Sequence, residues 1–236
     1  MTEMPPLTGF VRRSTSVGSE IVAYLERLIS TGDLAPGTRL PSERELAAQF
    51  EVSRASLREA MHELEVKNMI ARRPGRGTIV AESAAWNVDL YERLSEAERT
   101  LRDVAELRET IEPRVAELAA TRITDSTLIA LEEVLQATTA PLDQEESMRL
   151  DIAFHMLVAQ ASQNRLLIAL GSLANEWTES TRTLSHADAA SRSLSHSGHQ
   201  HIYEGLRKRD ADAARKAMVQ HLSEVAAMTR RHHPSF

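Results

Sequence analysis

The stretch Leu40–Met61, LPSERELAAQFEVSRASLREAM, carries two helix-start signals so close together that only a tight pair of short helices fits. Pro41 precedes Ser42, and Ser42 with Glu45 forms a capping box. The serine oxygen accepts from the amide three residues on while the glutamate reaches back. Leu46, Ala47 and Phe50 then share one face, and this helix ends near Glu51. Ser53 offers a second N-cap, after which Leu57, Ala60, Met61 and Leu64 recur at helical spacing. The outward side of the second helix differs from that of the first. Arg54 and Arg58 lie one turn apart beside Ser53 and Ser56, a set of guanidiniums and hydroxyls that suits phosphates and base edges in a major groove.

Beyond Met69 the period changes. Ile70–Arg73 and Gly77–Ala81 read as two short strands, with Pro74, Gly75 and Arg76 as the turn. Helix, turn, helix and then a hairpin with a basic glycine tip is a winged helix-turn-helix. At that tip Gly75 and Gly77 allow close approach to a backbone, and Arg76 can enter a minor groove or meet a phosphate. Ser19–Ser30, with Ile21, Val22, Leu25, Leu28 and Ile29 on one face, supplies the first helix of this domain.

The net charge of −6 looks wrong for a DNA binder until it is divided. Residues 1–82 hold 11 basic and 11 acidic side chains, against 17 and 23 in the remainder. Within Val52–Val80 there are six basic and three acidic, so the positive field is concentrated where the second helix and the wing lie. With 236 residues the chain is long enough for two cores. It has no cysteine, which removes disulfides and thiolate metal sites. Nothing reads as a signal peptide or as the about 20 apolar residues that span a bilayer, so a cytoplasmic protein with no membrane partner is expected.

The expected architecture is mainly α. A winged helix-turn-helix of three helices plus a small β-hairpin is followed by an all-α antiparallel bundle of about six helices. Residues 1–16 read as a flexible tail, 17–82 as the DNA-binding domain, 83–95 as a linker and 96–232 as the helical domain. Helices are expected at roughly 97–121, 124–138, 143–161, 164–186, 191–208 and 210–231. Pro113 predicts a kink in the first of them.

The bundle contains a second constellation. Asp151 and His155 stand one turn apart on one helical face. His199 and His221 each lie 11 positions from Asp210, the centre of the last connection, so in an antiparallel pair both stand about 16 Å from the turn. One carboxylate and three imidazoles suit a divalent transition ion: zinc first, with nickel or manganese as alternatives. His62, His186, His196, His201, His232 and His233 are read as ordinary core or surface residues.

Three runs, LPSERELA at Leu40–Ala47, VSRASLREA at Val52–Ala60 and GRGTIV at Gly75–Val80, resemble the DNA-binding domain of the GntR family of bacterial transcription regulators. The resemblance implies groove contacts by Arg44, Arg54 and Arg58, assisted by Ser53 and Ser56, with Gly75 and Arg76 at the wing. The sequence departs from many relatives at Ala55, where they carry threonine, and at Glu51, where they carry glycine. In the bundle, Asp151–Val158, Ser162–Leu167, His199 with Ile202, and Asp210, Ala214, Met218, His221 and Leu222 resemble the FCD ligand-binding domain of the FadR-like subfamily. The match implies a metal at Asp151, His155, His199 and His221, beneath an effector pocket to which Arg108 and Asn164 contribute.

Such a centre keeps positive charge and open positions, which favours a small chelating organic acid. The function expected is an effector-responsive regulator that binds a pseudo-palindromic operator as a homodimer. The alternative is a metal-dependent hydrolase or lyase with a DNA-binding appendage, although no HExxH or paired-carboxylate motif supplies its general base.

Overall fold

Local signals of the kind just described account for most helix boundaries in the computed structural model, which describes residues 16–73, 77–81, 101–139 and 142–232. The first domain comprises α1 (Val17–Ser30), α2 (Glu43–Gln49), α3 (Arg54–Val66), β1 (Ile70–Arg73) and β2 (Gly77–Val80). Ser42 caps α2 with the full reciprocal box: its oxygen accepts from the Glu45 amide at 3.3 Å, and Glu45 accepts from the Ser42 amide at 2.8 Å. Ser53 caps α3 by accepting from the Ser56 amide at 3.0 Å. The two strands pair antiparallel with Ile70 opposite Val80 and Arg73 opposite Gly77. Arg39 bridges to Ile79, so the segment after α1 adds a third short stretch to the wing rather than a plain loop. The wing-tip residues Gly75 and Arg76, the tail up to residue 15 and the linker at 83–95 lie outside the described residues.

Leu57, Met61 and Leu64 of α3 are fully buried against Ile21, Val22 and Leu25 of α1 and Leu46 and Ala47 of α2. Burying side chains of this size stabilises the small domain by about 1.5–3 kcal/mol each. α1 has a second buried face. Ala23 packs into the core of the helical domain, and Glu26 beside it is also fully buried. The first helix is therefore shared between the two cores.

The second domain consists, among the described residues, of α4 (Leu101–Arg122), α5 (Asp125–Ala137), α6 (Gln144–Ala161), α7 (Arg165–Trp177), α8 (Glu179–Ser185), α9 (Ala189–Arg207) and α10 (Ala211–His232). α4 remains one helix across Pro113. Its core is built from small residues on α4, Val115, Ala116 and Ala119, that admit Phe154 and Leu157 of α6 and Met218 of α10. The single helix expected over 164–186 is two. Thr178 leaves helical geometry at φ −91° and ψ 2°, and its hydroxyl donates to the Asn175 carbonyl at 2.9 Å. The break turns α8 toward α6 and buries Arg182.

Candidate metal centre and DNA-contacting face

Helix α6 places Asp151 and His155 on successive turns, and the antiparallel pair α9–α10 brings His199 and His221 opposite them. All four residues are buried, and one ligand atom from each lies within 4.8 Å of every other. The ring centroids of His199 and His221 are 4.7 Å apart, and His155 stands 5.2 Å from the first and 5.4 Å from the second. Phe154 stacks on His199 at 4.2 Å. Gly198 makes the approach of the last two helices possible, because a Cβ there would meet His221 Nδ1 at 2.5 Å.

Three nitrogens of this cluster, His199 Nε2 and both nitrogens of His221, are buried with no hydrogen-bond partner. His199 Nε2 does lie 3.3 Å from Asp151 Oδ1, but it is not aligned for a hydrogen bond. An unpartnered buried polar group costs about 1–3 kcal/mol. A cation bonded to the lone pairs of His199 Nε2 and one nitrogen of His221 removes that cost for those two atoms, so the donor set fits a divalent transition ion.

The electrostatics agree. Burial pushes His199 down to about 4, against a smaller upward pull from Asp151. Burial likewise holds His221 well below its ordinary value, so both rings are neutral and able to ligate at neutral pH. For Asp151, burial alone would raise the carboxyl, but the Arg182 guanidinium and the neighbouring imidazoles outweigh it and keep the group ionised.

Three residues that the sequence did not single out complete the surroundings. Arg182 Nε donates to Asp151 Oδ2 at 2.6 Å and is itself held by the Asn175 side chain, also at 2.6 Å. Glu112 on α4 accepts from His155 Nδ1 at 2.9 Å and from Arg108 Nε at 2.5 Å. His186, read as ordinary, is buried with Nε2 3.7 Å from Asp151 Oδ1. Of the other histidines, His196 bonds Thr138, while His62 and His201 are exposed.

A pocket adjoins the cluster. Arg108, Glu112, His155 and Asn175 form its polar wall, opposite aliphatic side chains such as Leu107, Ile111 and Leu170. Arg108 reaches this pocket already paired with Glu112. Asn164 does not line it. Its side-chain oxygen accepts from the amides of Leu166 and Leu167 as the N-cap of α7, the helix that carries Leu167, Leu170, Ala174 and Asn175 to the pocket wall.

On the first domain, Arg44, Arg54 and Arg58 are exposed at the leading ends of α2 and α3, and among the described residues no ion pair engages them. Arg72 on β1 is spoken for by Glu43 and Glu65. Ser53 and Ser56 bond each other at 2.9 Å in the cap of α3.

A three-helix winged domain with exposed arginines on α3, joined to a helical domain built around a buried Asp/His cluster, defines a two-domain DNA-binding transcription regulator. Comparison with known proteins agrees. Residues 18–80 match the profile of the bacterial regulatory proteins of the gntR family, and residues 103–224 match the FCD domain. The chain is 32% identical to the Uxu operon transcriptional regulator of Escherichia coli strain K12, over 87% of this chain and 84% of that protein. It is also 32% identical to the Galactonate operon transcriptional repressor of the same strain, over 89% of this chain and 94% of that one. A solved structure of a Streptococcus agalactiae GntR is 30% identical, covering 89% of this chain and 99% of that one at a TM-score of 0.49. The chain belongs to the GntR family and carries an FCD domain. It is a regulator of the FadR-like type rather than an enzyme.

Proposed function

We propose that this regulator senses a small organic acid at a divalent metal held by Asp151, His155, His199 and His221, and that the bound acid changes its affinity for operator DNA. One observation carries the reading: three imidazoles, two of them with orphaned nitrogens, and one carboxylate converge in a buried cluster whose His155 lines a pocket. When bound, the ion supplies Lewis acidity and open coordination positions for carboxylate and hydroxyl oxygens. Zinc suits the three-nitrogen set best, with nickel and manganese next. Arg108 borders the same space as a cationic partner, and the aliphatic opposite wall with no aromatic ring favours a compact acid over a long acyl chain. The name of one relative, the Galactonate operon transcriptional repressor, supports the sugar-acid class.

On the DNA side, Arg44, Arg54 and Arg58 with Ser53 and Ser56 enter the major groove, and Gly75 and Arg76 of the wing approach the backbone or minor groove. A homodimer places two such surfaces on a pseudo-palindrome. Residues 83–95 act as the linker between the DNA-binding domain, 17–82, and the effector domain, 96–232.

The test combines metal content with response. Purified protein is expected to carry about one transition ion per chain, and galactonate or a related hydroxy acid is expected to shift its binding to an operator selected from random duplexes. His199→Ala is expected to keep operator binding and lose both metal and response. A full response in metal-free His199→Ala overturns the proposal.

A further inference from the structure

Two buried ion pairs flank the Asp/His cluster, and neither is explained by stability. Arg108 with Glu112 lies on one side, and Arg182 with Asp151 on the other; all four side chains are at most 16% exposed. Buried pairs of this kind often contribute no more than well-packed apolar residues would, so their geometry has to be asked what else it fixes.

Arg108 forks both oxygens of Glu112. Oε1 accepts from Arg108 Nε at 2.5 Å, and Oε2 accepts from Arg108 Nη2 at 3.3 Å and from His155 Nδ1 at 2.9 Å. Arg108 Nη2 lies 3.3 Å from His155 Nε2, and a guanidinium can only donate. Nε2 is therefore the accepting nitrogen, with Nδ1 turned to Glu112, and the lone pair on Nε2 stands 3.9 Å from Asp151 Oδ1. Asp151, by contrast, divides its two oxygens. Its Oδ2 is occupied by Arg182 Nε at 2.6 Å, while Oδ1 faces His199 Nε2 at 3.3 Å and accepts from Ser195 at 3.4 Å. Arg182 cannot turn away easily, because its two terminal nitrogens donate to the Asn175 carbonyl and side-chain oxygens at 3.2 and 2.6 Å.

We infer that Glu112 and Arg182 are positioning residues of the metal centre. Glu112 sets the His155 tautomer so that Nε2 is the donor, and Arg182 withholds Asp151 Oδ2 so that the carboxylate ligates through Oδ1 alone. The inference rests on the metal reading above and deepens it: a carboxylate limited to one oxygen leaves a coordination position for an oxygen of the organic acid. Residues that hydrogen-bond a metal's ligands ordinarily matter, since losing one lowers metal affinity by about 10–100-fold. Both also serve the pocket wall, Glu112 directly and Arg182 through Asn175.

The experiment uses the full chain, stripped with a chelator and titrated with Co²⁺, read both by competition with a chromophoric chelator and by the cobalt d–d spectrum. Parent protein is expected to bind about one ion per chain. Glu112→Leu, which removes the acceptor, is expected to weaken binding by about 10–100-fold, with Glu112→Gln, whose carbonyl still accepts from Nδ1, falling between. Arg182→Lys keeps the charge but loses the fork to Asn175. It is expected to change the d–d band shape as Oδ2 joins the ion, a readout that mere packing does not move. Should Glu112→Leu not fold, the near-isosteric Glu112→Gln carries the comparison, with circular dichroism confirming helix content. A parent that binds cobalt, beside folded variants with the same affinity and spectrum, overturns the positioning roles and leaves the metal reading intact. A parent that binds no cobalt overturns that reading and this inference with it.

Discussion

Lys67 Nζ lies 2.6 Å from Glu26 Oε1, and Glu26 has no solvent exposure at all. Lys67 is the C-cap of α3, the helix whose other end carries Arg54 and Arg58, and Glu26 is on α1. The same ammonium donates to Thr124 and Ser126 at the start of α5 at 3.0 and 2.8 Å, and Ser126 donates to Glu63 of α3 at 2.7 Å. One network thus ties the trailing end of the DNA-facing helix to the helical domain. Arg27 to Glu133 at 3.0 Å and Arg149 to Asp33 at 3.2 Å add exposed contacts across the same seam, which are worth little individually.

Lys67→Met is expected to destabilise the protein by about 3–5 kcal/mol near pH 8, because it strands a buried carboxylate. Burial raises the Glu26 carboxyl even with Lys67 present, though the ammonium opposes it. A raised folded-state pKa means the folded form holds the proton more tightly. That contribution is present below the unfolded value of 4.5 and lost as pH rises through the folded one. Without Lys67 the folded value climbs further, so the penalty is expected to shrink on going from pH 8 to pH 5. Urea unfolding at both pH values measures it. A penalty under about 1 kcal/mol at pH 8 would show that the network contributes nothing to holding the domains.

Arg58→Ala is expected to weaken operator binding by about 1–3 kcal/mol while leaving the thermal midpoint unchanged, since the side chain is exposed on α3. Anisotropy titrations over a range of salt separate the two kinds of contact. Relaxed discrimination between operator and random duplex marks a base contact; a salt slope lowered by about one with unchanged discrimination marks a phosphate. Unaltered affinity and slope would remove Arg58 from the interface.

Acidification is expected to destabilise the helical domain between pH 6.5 and about 4. Burial lowers His199 from 6.5 to about 4, and it lowers His221 as well. Over that window the unfolded chain binds more protons than the folded one, so stability rises with pH and is lost as the solution is acidified. Thermal unfolding in the presence of a chelator reads the protein alone. His199→Phe removes one titrating ring and is expected to flatten the profile; an equally steep loss in that variant would assign the acid sensitivity elsewhere.

What the sequence made legible was local or periodic. Ser42 with Glu45 and Ser53 announce their helices within four residues, and Asp151 with His155 are neighbours by helical spacing alone. His199 and His221 were reachable because a short connection fixes the register of an antiparallel pair. Glu112 and Arg182 were not, since their partners lie 43 and 31 positions away in the chain and no period links them. The break that delivers Arg182 has no glycine or proline to announce it, only the backbone turn at Thr178. Glu26 was hidden for another reason: a charged residue next to an apolar stripe reads as solvated until a second domain covers it. Glu51 adopts φ 54°, left-handed geometry in which glycine is unstrained, which gives a physical meaning to its departure from relatives that carry glycine.

Gly198 and Gly205 occupy the same helix, α9, two turns apart, and both face α10, yet adding one methyl to each is expected to give different outcomes. At Gly205 the new Cβ would lie 2.7 Å from the backbone nitrogen and Cα of Ala214. Backbone cannot step aside, so the two helices must separate, with a loss toward or beyond the upper end of the about 1–3 kcal/mol typical of overpacking. At Gly198 the Cβ would instead meet the His221 ring at 2.5 Å. A ring can rotate, at a smaller cost to folding, but rotation carries its nitrogens away from Asp151, His155 and His199. Gly198→Ala is therefore expected to lower metal affinity by at least 10-fold with a modest fall in thermal midpoint, and Gly205→Ala to do the reverse. Parallel cobalt titration and calorimetry of the two variants decide it, and the same pattern in both would mean that the close approach at Gly198 serves packing alone.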